Sequence, residues 1–477
     1  MISDLKNGVL FSALGKFSTV IISIVVNAIL SRLLTPNDYG IVAIMQVFIV
    51  FFQMLVEAGM GPAIIQNKQL KRLEIGILFN YSIIFAILLS LGFGIFGRVI
   101  SYVYENPFFT QLTWIQSIAV FFYGASIVPI ATLNRDKKFK TVNLITITAN
   151  LLGGTIGIIA ALNGLGVISL LLNSIVSSIV QFFGSLYLSK QPFAFSMSIK
   201  PLKEIYMFSI NQFGFNFINY FTRNSDNLII GKVLGAGPLG AYSKAYQLIM
   251  MPNTVLLGII NPVLHPILSE YQDDVLYIKK IYLKIYHLLA LIGVSISIFM
   301  SLFSKEIITI IFGDQWSDAF FPFKVLSLTI WIQMTLSSTG ALFQARNKTK
   351  ELFYTGLLSM IVIVSSILVG VLTSSLNGIS VSLAIGFLVN YVVNYSMVMK
   401  LVLNSSLFDL LGELKTPFLI GVIEFIILSF TKQVILVDGP LILYFIAQAL
   451  IFVVVFLVLT MHFDEKKKIL EFIQTND

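Results

Sequence analysis

Apolar residues run along this chain in stretches of about twenty. Breaks marked by Pro, Gly, Asn or clustered charge divide it into fourteen such stretches: 9–31, 40–59, 75–97, 110–131, 141–161, 166–188, 204–230, 238–263, 285–303, 319–343, 353–373, 378–399, 417–435 and 440–461. A helix needs roughly 20 mostly apolar residues to cross about 30 Å of hydrocarbon, so each stretch predicts a membrane-spanning helix. The expected fold is an all-α polytopic membrane protein with about 14 transmembrane helices. Fourteen spans in 477 residues leave no room for a soluble domain. The first stretch reads as a span rather than a cleaved signal peptide, because it is too long, lacks a small-residue cleavage site, and carries Lys16 and Asn27.

Composition agrees with the pattern. Apolar residues make up 57% and charged residues 11%, against roughly 25% charged in an ordinary globular protein. Mean hydropathy is +0.91. No water-soluble fold hides that much apolar surface and covers the remainder with so few charges. Cysteine is absent, which excludes a disulfide framework, a thiolate nucleophile and a cysteine metal site. Three histidines, His265, His287 and His462, are too few and too scattered for a zinc or haem site.

The net charge of +8 would suggest nucleic acid in a soluble protein. Here its distribution points to loops that face anionic lipid. One set of alternate loops holds 22 of the 31 Lys and Arg residues, among them Arg135, Lys137, Lys138 and Lys140. The other set holds five: Arg32, Arg98, Lys232, Lys305 and Lys432. Four fall inside spans: Lys16, Arg223, Lys244 and Lys324. A miscounted span in the middle would scramble this alternation, and the positive-inside rule then places both termini in the cytoplasm.

The chain also repeats itself. Residues 27–40, NAILSRLLTPNDYG, echo residues 227–240, NLIIGKVLGAGPLG, without a gap at an offset of 200. LNGLGV at 162–167 echoes LNGISV at 376–381, and Arg135-Asp136-Lys137 more weakly echoes Arg346-Asn347-Lys348. All three pairs lie six spans apart, so the halves share one topology. The expected architecture is two parallel-repeat six-helix bundles, 1–203 and 204–400, related by an axis along the membrane normal. A site is expected near the midplane between them. Residues 401–477 add two helices and a cytoplasmic tail.

Polar groups inside a span are costly and tend to face a cavity or another helix. In the first span Lys16, Thr19, Ser23, Asn27 and Ser31 share a helix face; in the seventh Gln212, Asn216, Asn219, Arg223 and Asp226/Asn227 do so. The second span offers Gln46, Gln53 and Glu57, and the eighth Ser243, Lys244, Gln247 and Asn253. The first two helices of each half are therefore expected to line one polar, net cationic cavity. Plainer readings stand beside this. Arg223 and Asp226, three residues apart, are also placed for an intrahelical ion pair. Glu57 sits near the inner end of its span, where a side chain can snorkel to water. Lys324 near an outer end reads as an anchor. Glu424 stands alone in span 13, expected at a lipid groove and with no partner to name.

Ammonium and guanidinium groups hold phosphate or pyrophosphate, while amides hydrogen-bond sugar hydroxyls. A cavity of this composition therefore points to an anionic, hydroxyl-rich cargo rather than a hydrophobic cation. Enzyme signatures are missing: there is no P-loop, His-Glu metal motif or Gly-x-Ser-x-Gly. Asp273-Asp274 is a weak lure for a metal site, in a segment, 268–284, that reads as amphipathic and surface-lying. Neither a catalytic residue nor a cofactor is expected.

The blocks SRLLTPNDYG at 31–40, RNSDNLIIGKVLGAGPLGAYSKAYQL at 223–248 and NPVLHPILSEY at 261–271 resemble those of bacterial polysaccharide transporters. These are the Wzx-type oligosaccharide flippases of the multidrug/oligosaccharidyl-lipid/polysaccharide exporter superfamily. The resemblance implies a two-lobed bundle opening alternately inward and outward. Its implied cargo is an undecaprenyl-pyrophosphate-linked oligosaccharide, carried to the outer face of the bacterial cell membrane. Implied partners are membrane lipids, a coupling H⁺ or Na⁺, and polymerase or envelope-assembly proteins; nucleic acid is not among them. On this basis Lys16, Arg223 and Lys244 are expected at the pyrophosphate and Gln53, Asn216 and Asn219 at the sugars. Glu57 or Asp226 is expected at the coupling ion. The related lipid II flippases resemble one another by an Arg-Asp pair in the first span, where this chain has Val26-Asn27, which argues against lipid II as cargo. A small-molecule exporter and a non-transporting scaffold are the rival readings.

Overall fold

The computed structural model describes residues 2–57, 60–67, 69–191, 198–199, 201–202, 220, 224–272, 274–435 and 440–465. Among these it is helical with no strand. It divides into two compact units, Met1–Gly240 and Ala241–Asp477.

The first unit begins with α1 (Ile2–Leu33) and α2 (Pro36–Glu57). Thr35 ends one helix and caps the next: its N–H and hydroxyl both donate to Asp38 Oδ2, at 2.9 and 2.7 Å, and its Oγ1 accepts from Asp38 N–H. With Pro36 at the first helical position this is a capping box. There follow α3 (Met60–Gln66), α4 (Arg72–Val103), α5 (Phe108–Arg135), α6 (Phe139–Leu162), α7 (Val167–Ser189) and α8 (224–234). α4 packs along α5, α5 and α6 along α7, and α1 along α6.

α9 (Ala236–Glu270) begins in the first unit and runs into the second. Next come α10 (Val275–Leu302), α11 (Ser304–Ile311), a short 3-10 turn at Asp314–Ala319, α12 (Phe320–Ser327), α13 (Ile330–Leu336) and α14 (Thr339–Ala345). The chain ends with α15 (Thr349–Val371), α16 (Leu376–Met397), α17 (Leu407–Gly412), α18 (Lys415–Val434) and α19 (Leu441–His462). α10 is the hub of this unit, packed on α12, α13 and α18, while α19 lies on α18 and α11. Asp274 caps α10 by accepting from Tyr277 N–H at 3.0 Å, so the charged residues 275–284 open a long continuous helix rather than a separate surface segment.

Ten helices of the described residues are long and apolar enough to cross a membrane. An eleventh is added if the pair 314–327 and 330–345, bent by 53°, is one span. The first, second, seventh and eighth expected spans run through residues whose side chains or backbone lie outside the described set. The polytopic all-α fold is thus established, and fourteen remains the expected number.

The repeats carry over unequally. α2 starts at Pro36 and α9 at Ala236, preserving the offset of 200. The break before α9 is made by Gly235 at φ +86, without the Thr-Asp box used before α2. The two copies also meet within the first unit. A Cβ on Gly40 would fall 1.7 Å from Ala236 O, and one on Gly240 would fall 1.9 Å from Pro36 O. Each start packs on the other's glycine, a reciprocal contact that only residues without Cβ allow. The weak Arg echo is matched in structure as well. Arg135 donates to Leu70 O at 2.9 Å and Arg346 to Gln272 O, and each helix then turns through a left-handed residue, Lys137 and Asn347. The LNG echo does not superpose: Leu162 ends α6 whereas Leu376 begins α16.

Candidate functional site

α1 carries its polar positions on a partly buried face. Asn27 Nδ2 donates to Ser23 O at 2.9 Å, and the fully buried Ser31 donates to the Tyr39 hydroxyl at 3.3 Å. Lys16 belongs to this helix, but its side chain lies outside the described residues. On α2, Gln46 is exposed and Gln53 and Glu57 are half-buried. The Glu57 Oε1 lies 3.3 Å from where a Cβ on Gly61, four residues further on, would sit.

Tyr220 and α8 (224–234) belong to the same unit. The Tyr220 hydroxyl donates to Val47 O of α2 at 2.8 Å, and the Tyr104 hydroxyl donates to Leu228 O at 3.2 Å. Lys232 pairs with Glu105 at 2.8 Å. The contacts of Leu228 and Lys232 hold α8 against the end of α4, with Asp226 only 6% exposed and its Oδ1 accepting from Asn227 N–H. Asn216, Asn219 and Arg223, three of the expected cargo contacts, lie outside the described residues.

In the second unit Lys244 is 2% exposed on α9. Its ammonium stands over two rings, 4.8 Å from the centre of Phe312 and 5.7 Å from that of Trp316. A desolvated ammonium over aromatic faces gains about 2 kcal/mol from the ring quadrupoles. Asn253, two and a half turns further along α9, is buried, with no hydrogen bond to its Oδ1 from the described residues. Aromatic partners seventy residues away left no local signal in the sequence.

Two further clusters were not foreseen. His287 of α10 bridges two carboxyl-bearing residues. Its Nδ1 donates to Glu413 O at 2.9 Å, and its Nε2 lies at hydrogen-bond distance, 2.7 Å, from Glu465 Oε2, with Glu465 just 1% exposed. Scattered along the sequence, these three tie the start of α18 and the segment after α19 to α10. At the other end of α18, Lys432 pairs with Glu306 at 2.8 Å, donates to Leu302 O, and stands 4.9 Å over the Phe303 ring. The appended helices are thus pinned to the second unit at both ends. Among the described residues no group of three or more His, Asp or Glu side chains is arranged to hold a metal ion.

Long apolar helices, charged groups buried within them and a repeated helix-break motif define a polytopic membrane protein. The fold is similar to that of the lipid II flippase MurJ in an inward closed conformation. The TM-score is 0.75, with 96% of this chain and 99% of that chain covered at 16% identity, a likeness of fold alone. Residues 29–320 match the family described as polysaccharide biosynthesis protein, and the chain belongs to that family. It is 23% identical over 366 residues to the succinoglycan biosynthesis transport protein ExoT of Rhizobium meliloti (strain 1021), covering 77% of this chain and 74% of that one. It is 22% identical over 438 residues to the lipopolysaccharide biosynthesis protein WzxC of Escherichia coli (strain K12), covering 90% and 88%.

Proposed function

We propose that this protein moves an undecaprenyl-pyrophosphate-linked oligosaccharide from the cytoplasmic to the outer face of a bacterial cell membrane, by alternating access, for surface polysaccharide export. One observation carries the proposal: the family match at 29–320 takes in the helix-break blocks at 31–40 and 231–240 and, Lys16 apart, every residue expected at the cargo. The names of ExoT and WzxC, both in polysaccharide biosynthesis, support the same cargo class.

In this account the two lobes are 1–203 and 204–400, and both termini are cytoplasmic. Lys16, Arg223 and Lys244 neutralise the pyrophosphate, as fixed cations do most strongly where water is excluded. Gln53, Asn216 and Asn219 exchange hydrogen bonds with sugar hydroxyls. The lipid tail stays in the bilayer, and Glu57 or Asp226 serves the coupling ion. The test is sidedness in cells. Without the protein, the lipid-linked oligosaccharide stays shielded from an impermeant sugar-cleaving reagent. Wild type restores cleavage, and Arg223→Ala, present at normal level in the membrane, does not. Full restoration by Arg223→Ala removes the anion site, and unchanged sidedness with wild type turns the account toward small-molecule efflux.

A further inference from the structure

Glu424 is the tenth residue of the twenty in α18, which puts it at mid-membrane. It is 0% exposed. It does not face lipid, as its isolation in the sequence implied, but packs into the seam with α10. The helices approach closely there: a Cβ on Gly421, one turn before, would fall 2.6 Å from Val294 Cγ1 and 2.7 Å from Ile298 Cδ1. Among the described residues neither carboxyl oxygen of Glu424 has a partner within hydrogen-bonding geometry. Ser295 Oγ faces it from α10 and is also buried without a hydrogen bond.

Among the described residues no charged or titratable side chain faces this carboxyl. The titratable groups of α10 lie at Tyr277–His287, two or more turns before Ser295. On α19, Tyr444 reaches the Lys432 carbonyl and His462 stands at the far end, while Gln448 is bound to Thr431. Trp331 of α13 reaches α18 at Phe418, and α13 contains no titratable residue. On α18 itself Lys415 and Lys432 are eight or nine residues away, about 12 Å along the axis.

An ionised carboxylate buried at mid-membrane without a counter-ion, and with a single hydroxyl beside it, is among the costliest placements a protein can make. One carboxyl and one hydroxyl supply too few oxygens to replace the water shell of a metal cation. A proton needs only one. We infer that Glu424 is a proton-binding site, carried as the neutral acid while α18 lies on α10 and releasing its proton when that seam opens to water. Ser295 is placed to accept the acid's hydrogen or to donate to the carboxylate as it forms. The site lies in a different unit from Glu57 and Asp226, and Asp226 differs in accepting a backbone N–H. Assigning a proton as coupling ion rests on the transport proposal; the protonation itself does not.

The experiment uses full-length protein in lipid vesicles and has two readouts. Infrared spectra at neutral pH show a protonated-carboxyl stretch in wild type that Glu424→Gln, which keeps shape and neutrality, lacks. An imposed pH gradient changes the cargo-flipping rate several-fold in wild type and leaves that of Glu424→Gln unchanged. No lost band, or a gradient response in Glu424→Gln equal to wild type, overturns the inference. A band lost as expected, in vesicles where wild type moves no cargo, upholds the proton site and removes the flippase proposal instead.

Discussion

Lys244 shows what a residue-level reading captures and what it misses. Its place inside a span marked it as costly and therefore purposeful. Its cradle did not show, because Phe312 and Trp316 reach it through tertiary packing and nothing in the local pattern tells a ring against a cation from one against lipid. If the ammonium engages the pyrophosphate, Lys244→Met keeps the packing volume and removes a charge-assisted contact of about 1.5–3 kcal/mol. That corresponds to a loss of transport of about tenfold or more. Membrane-inserted protein stays at wild-type level, and transport rate per molecule is the readout; an unchanged rate makes Lys244 a packing residue only. The exposed Glu105–Lys232 pair gives a pH-dependent counterpart. Lys232 donates to Glu105 and holds its carboxyl below the usual carboxylate range. With the folded value depressed, the pair is fully present above the ordinary carboxylate range and is lost as pH falls through the lowered value. A zero-length carbodiimide cross-link between the two, read by mass spectrometry on protein equilibrated at each pH, forms in wild type and not in Glu105→Gln.

At the level of helices, period and length made most of the fold legible, because a span must satisfy its own backbone within hydrocarbon and so shows as an unbroken apolar run. Legibility ends where helices break inside the membrane. The run 319–343 reads as one span but is divided into α12, α13 and α14, bent by 53°. The offset of 200 is structural, since α2 and α9 start that far apart, yet the reciprocal approach of Gly40 and Gly240 could not be read from a repeat alone. It makes a strict prediction. Each glycine is blocked by backbone, which cannot rotate away, so Gly40→Val and Gly240→Val each cost about 1–3 kcal/mol or more by overpacking. Thermal unfolding in detergent reads this as a lower midpoint for both variants, while Gly237→Val, where a Cβ meets nothing within 4 Å, stays near wild type. Equal behaviour of all three would refute the contact.

Across the whole molecule, class and family were accessible early, because hydropathy and helix-break motifs are distributed along the chain. The candidate site was accessible only in outline. Helix faces follow from a 3.6-residue period, so Lys16, Gln53, Asp226 and Lys244 could be singled out, but burial and partners depend on neighbours far away in sequence. Glu424 is the sharpest example: alone in its span by sequence, it lies closed into a seam built from α10. The central claim is that this chain itself carries a lipid-linked oligosaccharide across the membrane. The most direct test is purified protein in vesicles loaded with that lipid on one leaflet and no other protein present. The account predicts that the sugar becomes cleavable from the opposite side at a rate proportional to the amount of protein, and more slowly with Lys244→Met. Cleavage no faster than in protein-free vesicles would contradict it.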